Sequence, residues 1–148
     1  MKQLASGLAL LCLSWLSHAS STLMPPMFQS DDPRPWVVMV TQPGCSYCER
    51  LEREVLQPLR ASQMFADTIR FTSVDIGINP TITDFDGTRI ASVDFASRYD
   101  GNGTPTLLFL SHRGDVLSAP KFGVPQAIDF YGYAIEQTII EMLKASRQ

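Results

Sequence analysis

The chain has 148 residues, a formal net charge of −3, an apolar fraction of 45% and a charged fraction of 18%. This composition is typical of one globular domain with its own hydrophobic core, and it excludes a disordered chain. The acidic balance and the lack of any Lys/Arg cluster in the sequence argue against a nucleic-acid binder.

Residues 1–19 have the pattern of a secretory signal peptide. A short basic start precedes an apolar run from Leu4 to Leu16, and Ser17-His18-Ala19 offers small residues where a signal peptidase reads the chain. We expect cleavage after Ala19 and export. The apolar run is shorter than the ~20 residues that a membrane-spanning helix needs, although a retained membrane anchor is the alternative. The mature chain should therefore have no stable membrane span.

Residues 20–35 form a proline-rich, irregular lead-in. Met24, Met27 and Phe28 can pack back on the domain. The two methionines could instead be soft metal ligands, but gap-filling is the commoner role of methionine.

The domain itself is predicted to span residues 36–148. In chain order the apolar patterns predict a buried strand (36–40), an amphipathic helix (49–60), a second strand (69–76), a small β-hairpin insertion (81–91), a short helix (92–99), two strands (104–110 and 116–118) and a final helix (126–145). Pro58 should end or kink the first helix near Gln57, and Ser92 is a plausible N-cap of the second. A βαβ opening followed by an antiparallel pair predicts an α/β fold, with a mixed central sheet flanked by helices on both faces.

Two cysteines lie where the first strand leads into the first helix. Cys12 belongs to the signal segment, so Cys45 and Cys48 are the cysteines of the mature chain. A disulfide between them closes a ring of only four residues and would stabilise the fold by roughly 2 kcal/mol, which is little for a structural disulfide. A helix N-terminus favours thiolate over thiol, so the spacing indicates a reactive pair. Cys45 is the candidate nucleophile, Cys48 the resolving thiol, and Ser46 and Tyr47 between them tune the pair.

A metal site is the rival interpretation of this motif. Zinc needs four ligands, and besides the two cysteines the mature chain offers only His112, unless two chains share a site. Copper bound with the help of Met24 or Met27 belongs to the same alternative. His112 lies in a predicted turn and is expected to be solvated. We expect neither a metal nor another cofactor.

The motif, read with the rest of the chain, resembles the thioredoxin superfamily. The resemblance rests on the apolar strand 36–40, on Cys45-Ser46-Tyr47-Cys48 at a helix start, on Val74-Asp75-Ile76, on Thr104-Pro105-Thr106 before an apolar strand, and on Gly123 before the last helix. It implies a thioredoxin fold, with Pro105 cis and lying against the disulfide. The peptide bond at Thr104 would then offer backbone groups to an extended substrate, as an added strand.

A closer likeness is to the exported SoxW-like thioredoxins. It is carried by the stretch Gln42 to Cys48 and by the Thr83-Asp-Phe-Asp-Gly turn. It implies a periplasmic reductase of protein disulfides, recharged by a membrane thiol-electron donor.

Two departures from thioredoxins affect the chemistry. Gly44 replaces the tryptophan before the first cysteine, and Met39 replaces a buried aspartate that helps to deprotonate the second thiol. Glu49 or water is the hypothetical substitute for that carboxylate. Tyr47 is similar to the residue of glutaredoxins and disulfide isomerases, so an oxidase or isomerase using the same pair is the alternative function.

Overall fold

The computed structural model describes residues 26–146, which contain a four-stranded sheet, a separate β-hairpin and helices on both faces of the sheet. The predicted signal peptide and Met24 lie outside the described residues. The strands are β1 (Trp36–Thr41), β2 (Arg70–Asp75), β3 (Thr81–Thr83), β4 (Arg89–Ala91), β5 (Thr106–Leu110) and β6 (Val116–Phe122). The helices are α1 (Ser46–Leu51), a π-helical turn (Glu52–Leu56), α2 (Gln57–Ala61), α3 (Ser92–Arg98) and α4 (Ile128–Ala145).

The main sheet has the strand order β2-β1-β5-β6. β1 is parallel to β2, with Trp36 opposite Arg70, and antiparallel to β5, with Trp36 opposite Leu110. β5 and β6 form an antiparallel pair with an irregular register. The predicted mixed sheet is therefore confirmed.

β1 explains why the sequence shows a continuous apolar run rather than an alternating one. Val37 and Met39 face a core formed with α1, the π-helical turn and α4. Val38 and Val40 face a second core, which α3 covers from the other side. Because neighbouring strand residues point to opposite faces, a central strand between two helical layers must be apolar at every position.

The first helix is longer than predicted. It begins at Ser46 and continues through Pro58 to Ala61. Pro58 has no N–H and cannot donate to the carbonyl four residues earlier. The helix widens to π geometry immediately before it, where the Gln57 N–H donates to the Glu52 carbonyl. The sequence predicts an end or a kink near Gln57. The helix does not end there, and the proline is accompanied instead by the π-helical distortion at Glu52–Leu56.

The β-hairpin insertion is confirmed, with Thr81 opposite Ala91. The predicted cap of the next helix is wrong. Ser92 is the first residue of α3, and its hydroxyl donates to the Asp75 carbonyl. Asn79 does the capping instead, because its Oδ1 accepts from the Val93 N–H at 3.1 Å.

The described part of the lead-in, residues 26–35, is packed on the domain by one aromatic side chain. Phe28 is fully buried and stacks on Phe95 with 4.5 Å between ring centroids. Its N–H donates to the Thr83 carbonyl at 2.9 Å. Met27 is 57% exposed, so it does not fill a gap in the core.

Candidate active site

The turn between β1 and α1 presents the first cysteine at the start of a helix. The Cys45 N–H donates to the Gln42 carbonyl at 3.3 Å, and the Glu49 N–H donates to the Cys45 carbonyl at 3.1 Å. Gly44 has φ +73°, a conformation that glycine adopts without strain. Cys45 is thus the N-cap residue of α1, as the motif predicts.

Cys45 and Cys48 form a disulfide with an S–S distance of 2.00 Å. Its two halves differ in exposure, because Cys45 is half-buried whereas Cys48 is 3% exposed. The Cys45 Sγ also accepts a hydrogen bond from the Cys48 N–H at 3.1 Å. The N–H of the third residue of α1 therefore already points at the half-buried sulfur.

The peptide bond between Thr104 and Pro105 is cis. It lies just before β5, whose first residue, Thr106, is the partner of Val40 in β1. This register places Pro105 at the end of the sheet where β1 leads into the cysteine turn. The Pro105 carbonyl accepts from the Gly123 N–H at 2.8 Å, which ties the end of β6 to the same region.

The second cysteine lies in an apolar environment. Cys48 packs in the hydrophobic core cluster that also contains Met39, Leu51 and Leu107. Met39 is 5% exposed, so the position of the missing carboxylate is filled by a thioether.

The remaining predicted site residues lie on the outside of the first helical turn. Ser46 and Glu49 are exposed, and Tyr47 is 59% exposed. None of the three is buried beneath the disulfide. Tyr47 instead presents an aromatic ring to solvent, next in sequence to Ser46 and two residues after Cys45.

His112 lies in the turn that follows β5, whereas Pro105 precedes that strand. It is therefore at the opposite end of β5 from the cysteine turn. Its Nε2 accepts from the Arg113 Nε at 3.2 Å, and both residues line a cavity of about 540 Å³ together with the Asp84–Arg98 ion pair. Within residues 26–146, no three His, Cys, Asp or Glu side chains come together as a metal site would require.

Sequence reasoning missed two residues of the site region. Phe122 is 73% exposed, and its ring covers Gly103, where an added Cβ atom would lie 2.5 Å from Phe122 Cε2. Gly77 packs against Pro43 just before the cysteines. Neither contact has a signal in the sequence, because each is made between segments distant along the chain.

The comparison with protein families agrees with this geometry. A family described as a thioredoxin-like domain matches residues 28–128. The chain belongs to the thioredoxin-like domain family. It is a thioredoxin-fold redox protein with a disulfide in the Cys45-Ser46-Tyr47-Cys48 motif.

Several solved structures are similar to this thioredoxin-like domain at low sequence identity. DsbH oxidoreductase is 16% identical with a TM-score of 0.52, over 72% of this chain and 73% of that one. Thioredoxin O2 from Arabidopsis thaliana is 23% identical with a TM-score of 0.47, over 72% and 76% of the two chains. The periplasmic thioredoxin SoxS from Paracoccus pantotrophus is 18% identical with a TM-score of 0.42, over 73% and 98%. No curated protein sequence matches the chain.

In the part of the chain that the structure describes, no helix combines the length and the apolar character needed to cross a membrane.

Proposed function

We propose that this protein is an exported thiol–disulfide oxidoreductase that reduces protein disulfides with Cys45 and Cys48. The observation that carries the proposal is the asymmetric disulfide. One sulfur is accessible at a helix N-cap, and the other is buried one turn further on. This is the arrangement that a nucleophile and a resolving thiol need.

The reaction has two exchange steps. In the reduced protein the Cys45 thiolate attacks one sulfur of a substrate disulfide, that S–S bond breaks, and the substrate releases one thiolate. The Cys48 thiolate then attacks the Cys45 sulfur of the mixed disulfide. The second substrate thiolate leaves, the Cys45–Cys48 disulfide forms, and two electrons have passed from the protein to the substrate.

Thr104 and Pro105 are proposed to position the substrate. The cis bond lies at the same end of the sheet as the disulfide, and the backbone before β5 can pair with an extended peptide as an added strand. Ser46 and Tyr47 tune the pair through their exposed positions between the cysteines.

Proton transfer to and from Cys48 needs a separate route, because Met39 stands in the position of the buried carboxylate. Glu49 is the proposed group. It is in the first turn of α1, one residue after Cys48, and its exposed side chain can exchange protons with water.

The proposed cellular location and electron donor are supported by the N-terminal segment and by the likeness to SoxW-like thioredoxins. Residues 1–19 carry the signal-peptide pattern, so we place the mature protein in the periplasm. The oxidised pair must be recharged by a reductant, and the proposed one is a membrane thiol-electron donor.

An insulin-reduction assay with dithiothreitol tests the proposal. Wild-type protein should accelerate precipitation of the insulin chains, and Cys45→Ala should fall to the rate of dithiothreitol alone. His112→Ala, at the other end of β5, should keep the wild-type rate. Full activity in Cys45→Ala would overturn the proposal.

The direction of electron flow is tested by the reduction potential. A value of about −270 mV matches a reductase such as thioredoxin, and about −120 mV matches a strong oxidant. The exposed Tyr47 in the motif, shared with isomerases and glutaredoxins, is the feature that favours the second candidate function, oxidation or isomerisation by the same pair.

A further inference from the structure

The loop that follows β2 lies directly against the turn that holds Cys45. Thr41 and Asp75 are partners at the ends of β1 and β2, and the next N–H, from Ile76, donates to the Thr41 carbonyl at 2.9 Å. A Cβ atom added to Gly77 would lie 2.6 Å from Pro43 Cδ and 3.0 Å from Gln42 Cβ. The residues just before Gly44 and Cys45 therefore pack on the bare backbone of Gly77.

Asp75 holds this loop in shape. Its Oδ1 accepts hydrogen bonds from the Gly77 N–H at 2.8 Å and from the Ile78 N–H at 3.0 Å. Two backbone donors on one carboxylate oxygen fix the turn locally, as aspartate commonly does in loops. The neighbouring space at Gly44 is open, with no atom within 4 Å of an added Cβ. Of these two glycines, Gly77 is the one whose backbone is in contact with Gln42 and Pro43.

We propose that Asp75 and Gly77 are positioning residues for Cys45. They hold Gln42 and Pro43 in place, so that the Cys45 sulfur stays at the N-cap where the Cys48 N–H reaches it. This inference rests on the proposed function of the disulfide. A hydrogen bond to a thiolate weakens steeply with distance and angle, so a small displacement of Pro43 changes how strongly the thiolate is stabilised.

The test is the pH dependence of iodoacetamide alkylation of Cys45 in the reduced protein, which reports the pKa of its thiol. Gly77→Ala forces a side chain against Pro43, and Asp75→Ala removes both acceptors from the loop. Each should raise the alkylation midpoint by about one pH unit, the size expected when one charge-assisted hydrogen bond weakens. Insulin reduction at neutral pH should slow several-fold in both variants.

Asp75→Asn distinguishes an effect of the loop's geometry on the Cys45 thiol from an effect of the negative charge of Asp75. The amide keeps the Oδ1 acceptor but removes a negative charge, so the midpoint should stay or fall. If Asp75 acted through its charge alone, Ala and Asn would both lower the midpoint, and the proposal would be wrong. An unchanged midpoint in both Gly77→Ala and Asp75→Ala would equally overturn it.

Two variants serve as matched controls. Gly132→Ala adds a methyl group in α4 at an ordinary 3.5 Å from Val55, and Asp86→Ala removes an aspartate that likewise accepts two hydrogen bonds, from Thr88 in the distant hairpin turn. Both should keep the wild-type midpoint. Alkylation does not require a protein substrate, so the alkylation midpoints test this inference even if wild-type protein fails to reduce insulin. That failure would count against the proposed function alone.

Discussion

Gly44 shows how one residue next to the site is constrained by its backbone. Its φ of +73° lies in the left-handed region, where an L side chain is strained. The space around it is open, so a larger residue would be disfavoured by conformation and not by crowding. The tryptophan found here in thioredoxins would carry the same backbone strain in this turn.

We expect Gly44→Ala to lower the free energy of unfolding of the oxidised protein by ~1 kcal/mol, the cost of a left-handed backbone for a residue with a Cβ. Urea denaturation measures it. Gly132→Ala, in the interior of α4, should leave the stability unchanged or raise it, because alanine favours a helix. A Gly44→Ala protein as stable as wild type would contradict the strain argument.

The site residues visible in the sequence are those with a local signature. Cys45 and Cys48 are recognised by their spacing at a strand–helix junction, and Pro105 by its place before an apolar strand. Gly77 and Phe122 are not, since their contacts with Pro43 and Gly103 exist only once the chain has folded.

At the scale of elements, burial decides what can be predicted. β1 and β5 are buried on both faces, so their apolar runs mark them to within two residues. β6 is an edge strand with partly exposed side chains, and Pro120 interrupts its sequence pattern. The sequence therefore predicts a strand that ends at residue 118, whereas β6 extends to Phe122.

Phe28 makes the lead-in part of the domain. Its ring is fully buried among Trp36, Phe85 and Phe95. We expect Phe28→Ala to lower the free energy of unfolding by about 3–5 kcal/mol, as large-to-small substitutions of buried phenylalanine do. Met27→Ala, the exposed neighbour, should change it by less than about 0.5 kcal/mol. Equal effects in the two variants would show that the segment is not anchored through Phe28.

At the scale of the whole molecule, an ion pair within the lead-in is joined to the sheet by Arg70 of β2. The Arg34 side chain bonds both carboxylate oxygens of Asp32, and Arg70 donates to the Arg34 carbonyl. The hydrogen bonds from Arg34 lower the pKa of Asp32 from 3.8 to about 2. The folded state thus favours the ionised carboxylate more than the unfolded chain does.

This shift predicts a contribution to acid stability. As pH falls, the unfolded chain takes up the Asp32 proton first, so the stabilisation is complete above about pH 4 and is lost between about pH 4 and pH 2. Urea denaturation across this range should show a shallower loss of stability in Asp32→Asn and in Arg34→Gln than in wild type. Identical slopes in all three proteins would contradict the role given to the pair.

The disulfide and the cis-proline lie at the same end of the sheet, where we propose that Cys45 is the nucleophile and Cys48 the resolving thiol. The most direct test is to trap the mixed disulfide with oxidised glutathione and to locate it by mass spectrometry under non-reducing conditions. The half-buried Cys45 in Cys48→Ser should form the glutathione adduct rapidly, whereas Cys48 in Cys45→Ser, at 3% exposure, should form little. Equal or faster adduct formation at Cys48 would contradict the assignment of Cys45 as the nucleophile.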